Sequence, residues 1–308
     1  MSNFRSKIGM GWLRDYPDFR DFTYQGSKIP DKLKRIGEKS SIKGMLKKVG
    51  VVGSSSNKQV PSNVDLREYC PPVEDQGSIG SCTANAGVAL LEYFEKRAFG
   101  RHIDASRLFL YKVTRKLMHT KGDTGAFLRT TMGAMTLFGV PPDEYWPYDT
   151  DLYDEEPPAF CYAFAQNYQA LQYFRLDPPG TKSSDLLNRI KNHLAGNLPV
   201  MFGFSVFSSI WDAGREGKIP FPKPFEKQEG GHAVVAVGYD DKVQIENKGL
   251  ISNKTNGAFL IRNSWGRSWG DDGYGWLPYD FVLQNLAVDW WSLLKNEWVD
   301  TGEFQFLG

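Results

Sequence analysis

The chemistry available to this chain rests on one thiol and the groups that can serve it. Cys82 stands in DQGSIGSCTANAGVALLEYF, behind a turn shaped by Gly77 and Gly80 and at the start of an apolar helix. A thiol there faces free backbone N–H groups and the positive end of the helix dipole. Both lower its pKa and favour the thiolate, the nucleophilic form. The competing reading is a small buried hydrophobe, the usual fate of a cysteine. A thiolate needs a partner that holds and delivers a proton near neutral pH, which means histidine. The chain has four. His102, in GRHIDAS, and His119, in MHTKG, read as loop residues, and His193 closes a helix, where it complements the dipole. His232 follows Gly230 and Gly231 and opens the run AVVAVGY, so that its ring can project into a cleft. Its alternative is a satisfied core histidine. The third piece is Asn263 in FLIRNSWGRSWGDDGYGW, whose amide oxygen can accept the imidazole's second N–H and fix the tautomer. Trp265 beside it would keep water from that bond.

These groups must be carried by separate elements. Ala84, Val88, Leu91 and Phe94 recur at three- and four-residue steps and predict a helix from Cys82. Leu128 to Phe138 predicts a second, stopped by Gly139, and Ser184 to Leu194 a third, stopped by Gly196. Strands are predicted at Val200–Phe207, from His232 to Tyr239, and from Ala258 to Asn263. Helices first and strands later predict an α+β class with two segregated lobes and a cleft between them. The helical lobe is expected mainly over 75–180 and the β lobe mainly over 181–308. The polar stretch 241–257 reads as an inserted hairpin, and the aromatic tail 289–308 as fold packing.

Composition removes other function classes. In 308 residues, 41% are hydrophobic and 14% aromatic, which excludes a largely disordered chain. Thirty-seven basic against thirty-six acidic residues argue against a coat for nucleic acid. Three cysteines are too few for a disulfide framework and fit no zinc spacing, so no metal or other cofactor is expected. No apolar h-region opens the chain and no run is long enough to span a membrane. A cytoplasmic location is the default expectation, with export by a route lacking a cleaved signal left open.

Residues 1–58 differ from the rest. Residues 9–24, GMGWLRDYPDFRDFTY, alternate aromatics with charges. From Lys28 to Lys58 nine basic residues stand against two acidic ones, a charge of +7 that leaves −6 for the remainder. A weak helix is expected there, broken by Gly37 and Gly44, followed by a flexible linker at 50–57. The basic run is either a solvated face or a detachable segment that seats on an acidic cleft.

Taken together the motifs resemble those of papain-like cysteine peptidases. The family's Gln-Gly-Ser-x-Gly-Ser-Cys is matched by Gln76, Gly77, Ser78, Gly80, Ser81 and Cys82, and its Gly-His-Ala by Gly231, His232 and Ala233. Its Asn-Ser-Trp-Gly-x-x-Trp-Gly-x-x-Gly-Tyr is matched from Asn263 to Tyr274. The order agrees, and the resemblance covers about residues 61–280. It implies a papain-like fold in which Cys82 and His232 form a thiolate–imidazolium pair, oriented by Asn263 and shielded by Trp265. It implies Gln76 as the oxyanion-hole side chain, with the Cys82 N–H, and an acyl-enzyme route to hydrolysis of polypeptides. It implies Gly125, Phe127 and Ala233 as substrate-binding residues, although GDTGAF departs from the family's glycine pair. Ile79 stands where secreted members carry a disulfide cysteine, so the chain resembles the disulfide-free branch of bacteria, archaea and some viruses. By analogy residues 1–58 are expected to act as an intramolecular inhibitory segment, with 59–308 as the enzyme. Another thiol acyl transfer or a silent binding scaffold are the alternatives; the retained Cys82, His232 and Asn263 weigh against the second.

Overall fold

The computed structural model describes residues 8–29, 31–35, 39–51, 60–247 and 253–296. In chain order the elements are β1 (Trp12–Leu13), α1 (Asp31–Arg35), α2 (Ile42–Lys48), β2 (Asn63–Asp65), α3 (Cys82–Phe99), α4 (Arg107–Leu117), β3 (Ala126–Phe127), α5 (Leu128–Leu137), α6 (Ala159–Ala165) and β4 (Ala170–Arg175). There follow α7 (Ser183–Ala195), β5 (Val200–Phe207), β6 (Gln228–Asn247), β7 (Asn253–Arg262), β8 (Tyr274–Pro278), α8 (Asp280–Leu283) and β9 (Ala287–Asn296).

The large sheet is antiparallel, in the order β4-β9-β5-β6-β7-β8, with β2 added to β6. Helix α3 lies between this sheet and α4–α5 and is buried along most of its length. It ends on Gly100 in the left-handed region, whose N–H caps the Lys96 carbonyl. The alternation expected of a half-exposed strand is absent from β5, because β6 and β9 flank it and both of its faces are covered. The tail expected to pack does so as β9, with Trp290 and Trp291 fully buried and Trp290 stacked on Phe202 at 3.8 Å; residues 297–308 lie outside the described residues. The polar stretch after Tyr239 is the continuation of β6, paired with β7 out to Asn247 and Asn253, a hairpin as expected.

Helix α4 went unpredicted because two of its four charges, Arg107 and Arg115, are inside. Arg115 is buried over the Tyr111 ring and bonds the Gly122 and Tyr153 carbonyls and Asp154. The expectation that Gly44 breaks a helix is corrected. Ser41 caps α2 through its side chain, and Ile42 and Leu46 are fully buried, which outweighs the roughly 1 kcal/mol glycine cost. Gly37 and most of the expected linker lie outside the described residues. His193 is also corrected as a dipole partner. It is fully buried, its Nδ1–H donates to the Arg189 carbonyl at 2.7 Å, and burial pushes its pKa down to about 4, so the ring is neutral. Cys70, Cys82 and Cys161 are all free and buried.

Candidate active site

The site is assembled where the start of α3 meets β6 and the turn after β7. Gly77, at φ 64°, bends the chain, and Cys82 opens the helix fully buried. Backbone N–H groups of Ala233, Gly11, Thr83 and Cys82 itself favour the thiolate, as expected for a helix start. Burial outweighs them and pushes the thiol up to about 11, which corrects the expectation of a lowered value. What covers the thiol is the chain's own N-terminal stretch.

His232 lies in β6 opposite Phe204 of β5. Its Nε2–H donates to Asn263 Oδ1 at 2.7 Å, and that oxygen also accepts the Ser264 N–H at 2.8 Å. The second donor fixes which end of the amide faces the ring, and so puts the proton on Nε2. Nδ1 is then left as a buried lone pair with no hydrogen-bond partner. Trp265 stacks on the ring at 4.6 Å and 28°, and Trp211 stacks on Trp265. Burial takes the imidazole down to about 4, with the Asn263 bond opposing. In this state the thiol and the ring are both uncharged.

Gln76 is fully buried. Its Nε2 donates to the Ile79 carbonyl at 2.9 Å and to the Gly9 carbonyl at 3.0 Å, and its Oε1 accepts the Ser264 hydroxyl at 2.6 Å. The structure thus brings Cys82, His232, Asn263, Gln76 and Trp265 into one site. Of the expected substrate-binding residues, Ala233 adjoins the thiol and Gly125 and Phe127 form an edge beside it.

That edge is already occupied. Strand β1 pairs in parallel with β3, Trp12 opposite Ala126 and Leu13 opposite Phe127, and the Ala126 N–H donates to the Gly11 carbonyl at 2.7 Å. The Gly9 N–H donates to the Gly77 carbonyl at 3.1 Å. The fit admits no side chain at two positions: a Cβ on Gly9 would lie 2.0 Å from the Ile79 oxygen, and one on Gly11 1.8 Å from the Gly80 oxygen. Beyond the cleft, Arg129 forks onto Asp21 at 2.7 and 2.9 Å and bonds Asp15 and the Tyr16 carbonyl. Phe22 and Tyr24 exchange backbone bonds with Arg175 of β4.

Of the two readings of the +7 run, the solvated face is the one its described residues fit, and the polarity of the docking is the reverse of the other. Lys28, Lys34, Arg35, Lys39, Lys43, Lys47 and Lys48 are exposed, and among the described residues their one ion pair is Lys34 with Asp31. Acidic side chains of the aromatic stretch dock instead on Arg129 and Arg175 of the enzyme body. Arg129, Arg175, Gly203 and Asp289 were not singled out. Only the density of aromatics and charges at 9–24 could have signalled them.

A family model described as papain family cysteine protease matches residues 60–282. An uncharacterized peptidase C1-like protein of Acanthamoeba polyphaga mimivirus is 35% identical over 225 residues, 71% of this chain and 68% of its own length. Xylellain, a cysteine protease from Xylella fastidiosa, superposes with a TM-score of 0.69 at 33% identity, covering 94% of this chain and 96% of that one. Digestive procathepsin L 3 of Tenebrio molitor, at 19% identity and a TM-score of 0.58, covers 77% of this chain and 71% of its own and shares the fold.

Proposed function

The chain belongs to the papain family of cysteine proteases, and on that footing we propose an endopeptidase that works through Cys82, His232 and Asn263 and is held silent by its own residues 9–24. Once the cleft opens, water and the helix dipole favour proton transfer from the Cys82 thiol to the His232 Nδ1. The thiolate attacks a peptide carbonyl carbon. The resulting oxyanion takes hydrogen bonds from Gln76 Nε2 and the Cys82 N–H. His232 returns its proton to the leaving amine, which departs and leaves a thioester on Cys82. Water, deprotonated by His232, then releases the acid and regenerates the thiol.

The observation that carries this reading is the His232–Asn263 bond, which fixes the proton on Nε2 and reserves the Nδ1 lone pair. Cleavage within a chain is supported by the way the N-terminal stretch crosses the cleft, with Ile8 before it and Arg14 after it. Silencing is supported by the Gly9 carbonyl on the amide of Gln76, where a substrate oxygen would bind.

The test compares three full-length chains: wild type, Gly11→Leu, which cannot thread past Gly80, and Gly11→Leu with Cys82→Ala. Gly11→Leu should hydrolyse a fluorogenic peptide at least about tenfold faster than wild type and take up an epoxide active-site probe. The double variant should do neither. Labelling that persists in the double variant would overturn Cys82 as nucleophile, and equal rates for the first two would overturn silencing.

A further inference from the structure

Asp123 stands three residues before the Ala126–Phe127 edge, and its carboxylate reaches the turn that leads into Cys82. The Gly80 N–H donates to Oδ1 at 2.8 Å and to Oδ2 at 3.1 Å. The Tyr111 hydroxyl donates to Oδ1 and itself accepts the Gly125 N–H at 3.1 Å. One carboxylate and one phenol thus join Gly80, two residues from the nucleophile, to Gly125, the residue before the edge. Tyr111 is the rigid end of this link, fully buried on α4 with Arg115 4.2 Å over its ring. The loop itself has little else to hold it. Lys121, Asp123 and Thr124 are exposed, so their side chains add nothing to the core. Arg115 and Asp154 hold the Gly122 end, which leaves the Gly125 end to Asp123 and Tyr111. No covalent bridge assists: Cys70, Cys82 and Cys161 are all free, and Ile79 stands where secreted members of the family carry a disulfide cysteine.

The gap between Gly80 and Gly125 is the width of one main chain, and the Gly11 backbone fills it. A Cβ on Gly80 would lie 3.1 Å from the Gly11 Cα, and one on Gly125 2.3 Å from the Gly11 oxygen. With the Gly125 N–H spent on Tyr111, the Ala126 N–H is the donor that the edge turns to the cleft, and it meets the Gly11 carbonyl at 2.7 Å. We propose that Asp123 is the positioning residue of the peptide-binding edge. Through Gly80 and Tyr111 it sets the gap in which a substrate main chain lies and holds the Ala126 N–H in register with Cys82. The proposal rests on the reading above, that the stretch leaves the cleft and a polypeptide replaces it. Losing the carboxylate frees the edge and leaves the nucleophile in place. The turn keeps the Gln76 amide on the Ile79 carbonyl, and Ser81 keeps the Tyr148 hydroxyl at 2.6 Å. The edge loses its tie to Gly80, and the Tyr111 hydroxyl loses the acceptor that aims it at Gly125. The Ala126 donor serves bound peptide before and during reaction alike, so its misplacement raises KM more than it lowers kcat.

The test uses the full-length Gly11→Leu chain carrying Asp123→Ala, Asp123→Asn or Tyr111→Phe. On a peptide long enough to lie along the edge, Asp123→Ala should lower kcat/KM about tenfold, most of it as a raised KM. Asp123→Asn retains an oxygen that can accept both donors and should recover most of that loss. Tyr111→Phe removes only the hydroxyl link and should lower kcat/KM about threefold, again through KM. Its ring keeps its place over Arg115, so it carries the test should the alanine variant not fold. Alkylation of Cys82 by iodoacetamide needs no edge and should stay within about twofold of Gly11→Leu in all three. Peptide kinetics unchanged by Asp123→Ala or by Tyr111→Phe would overturn the proposal, as would a loss that falls on kcat. Alkylation slowed as much as hydrolysis would overturn it too, by making Asp123 a support of the nucleophile turn. An asparagine variant no better than alanine would remove the hydrogen-bonded link. Absence of both hydrolysis and Cys82 labelling in Gly11→Leu itself would instead overturn the function on which the proposal rests.

Discussion

The side-chain amide of Gln76 donates 3.0 Å to the carbonyl of Gly9, a residue 67 positions earlier in the chain. The same amide is tied through its oxygen to Ser264, next to Asn263. One side chain therefore joins the approach to Cys82, the turn that orients His232, and the stretch that covers both. Replacing it with alanine has two effects of opposite sign. In wild type, Gln76→Ala loosens the cover. In the Gly11→Leu background only the lost oxyanion donor remains, and kcat should fall about 10²–10³-fold with little change in KM. Steady-state kinetics of Gln76→Ala in the wild-type and Gly11→Leu backgrounds separate these effects, and an unchanged kcat in the second would remove Gln76 from the mechanism.

The thiol of Cys82 gives a pH signature. Held near 11 under the cover, it is ionised in roughly one molecule in 10⁴ at pH 7. Alkylation by iodoacetamide should therefore be slow in wild type and rise about tenfold per pH unit up to that value. In Gly11→Leu, where water and the helix dipole act without the burial penalty, the profile should level off several pH units lower. Identical profiles would mean that the stretch does not control ionisation.

Arg129 is the grip on the far side of the cleft. Its planar fork binds Asp21 through two nitrogens and reaches Asp15 and the Tyr16 carbonyl as well. Arg129→Ala should expose residues 14–21 to limited proteolysis and raise full-length activity about tenfold. Arg129→Lys should fall between, because an ammonium cannot make the paired contact. Tyr16 and Phe19 already lie exposed, so mass spectrometry of the first cleavage products gives a direct readout. A cleavage pattern unchanged in both variants would place the grip elsewhere.

Acid stability should follow two histidines. His193 and His232 are both depressed to about 4 by burial, against about 6.5 when unfolded. A depressed folded value means that stability is complete above about pH 6.5 and is lost as pH falls toward 4, because the unfolded chain binds the protons first. Each ring accounts for up to about 3 kcal/mol across that window. Urea unfolding from pH 7 to 4 should show the loss, and His193→Leu should flatten it by about one proton. A slope identical to wild type would assign the acid sensitivity to other groups.

Much of this site is written locally. Cys82 at a helix start, His232 behind two glycines and Asn263 at a strand end are each visible in a window of a dozen residues, and the helix from Cys82 and the strand Val200–Phe207 occur where periodicity and β-branched content place them. What escaped local reading depends on closure over long distances. Trp12 and Asp289 meet across 277 positions, and nothing near either announces the other. The same holds for Asp21 and Arg129: net charge drew the eye to the lysine-rich run, while docking uses two aspartates of the aromatic run. The thiol's ionisation escaped for a related reason. Local sequence shows the helix dipole that lowers it and cannot show the neighbour that shuts out water.

The cover and the enzyme are one covalent chain, with Val51 and Val60 at the two ends of the connection. While that connection is intact, the stretch competes with substrate at an effective concentration set by tether length, of millimolar order, however dilute the protein becomes. A single cut between those residues turns the same surface into an ordinary bimolecular ligand, whose occupancy falls with every dilution. The silencing proposed above would thereby be independent of enzyme concentration before the cut and dependent on it afterwards. Activation would then be fast in a large volume and slow in a confined one, even with every contact in the cleft unchanged.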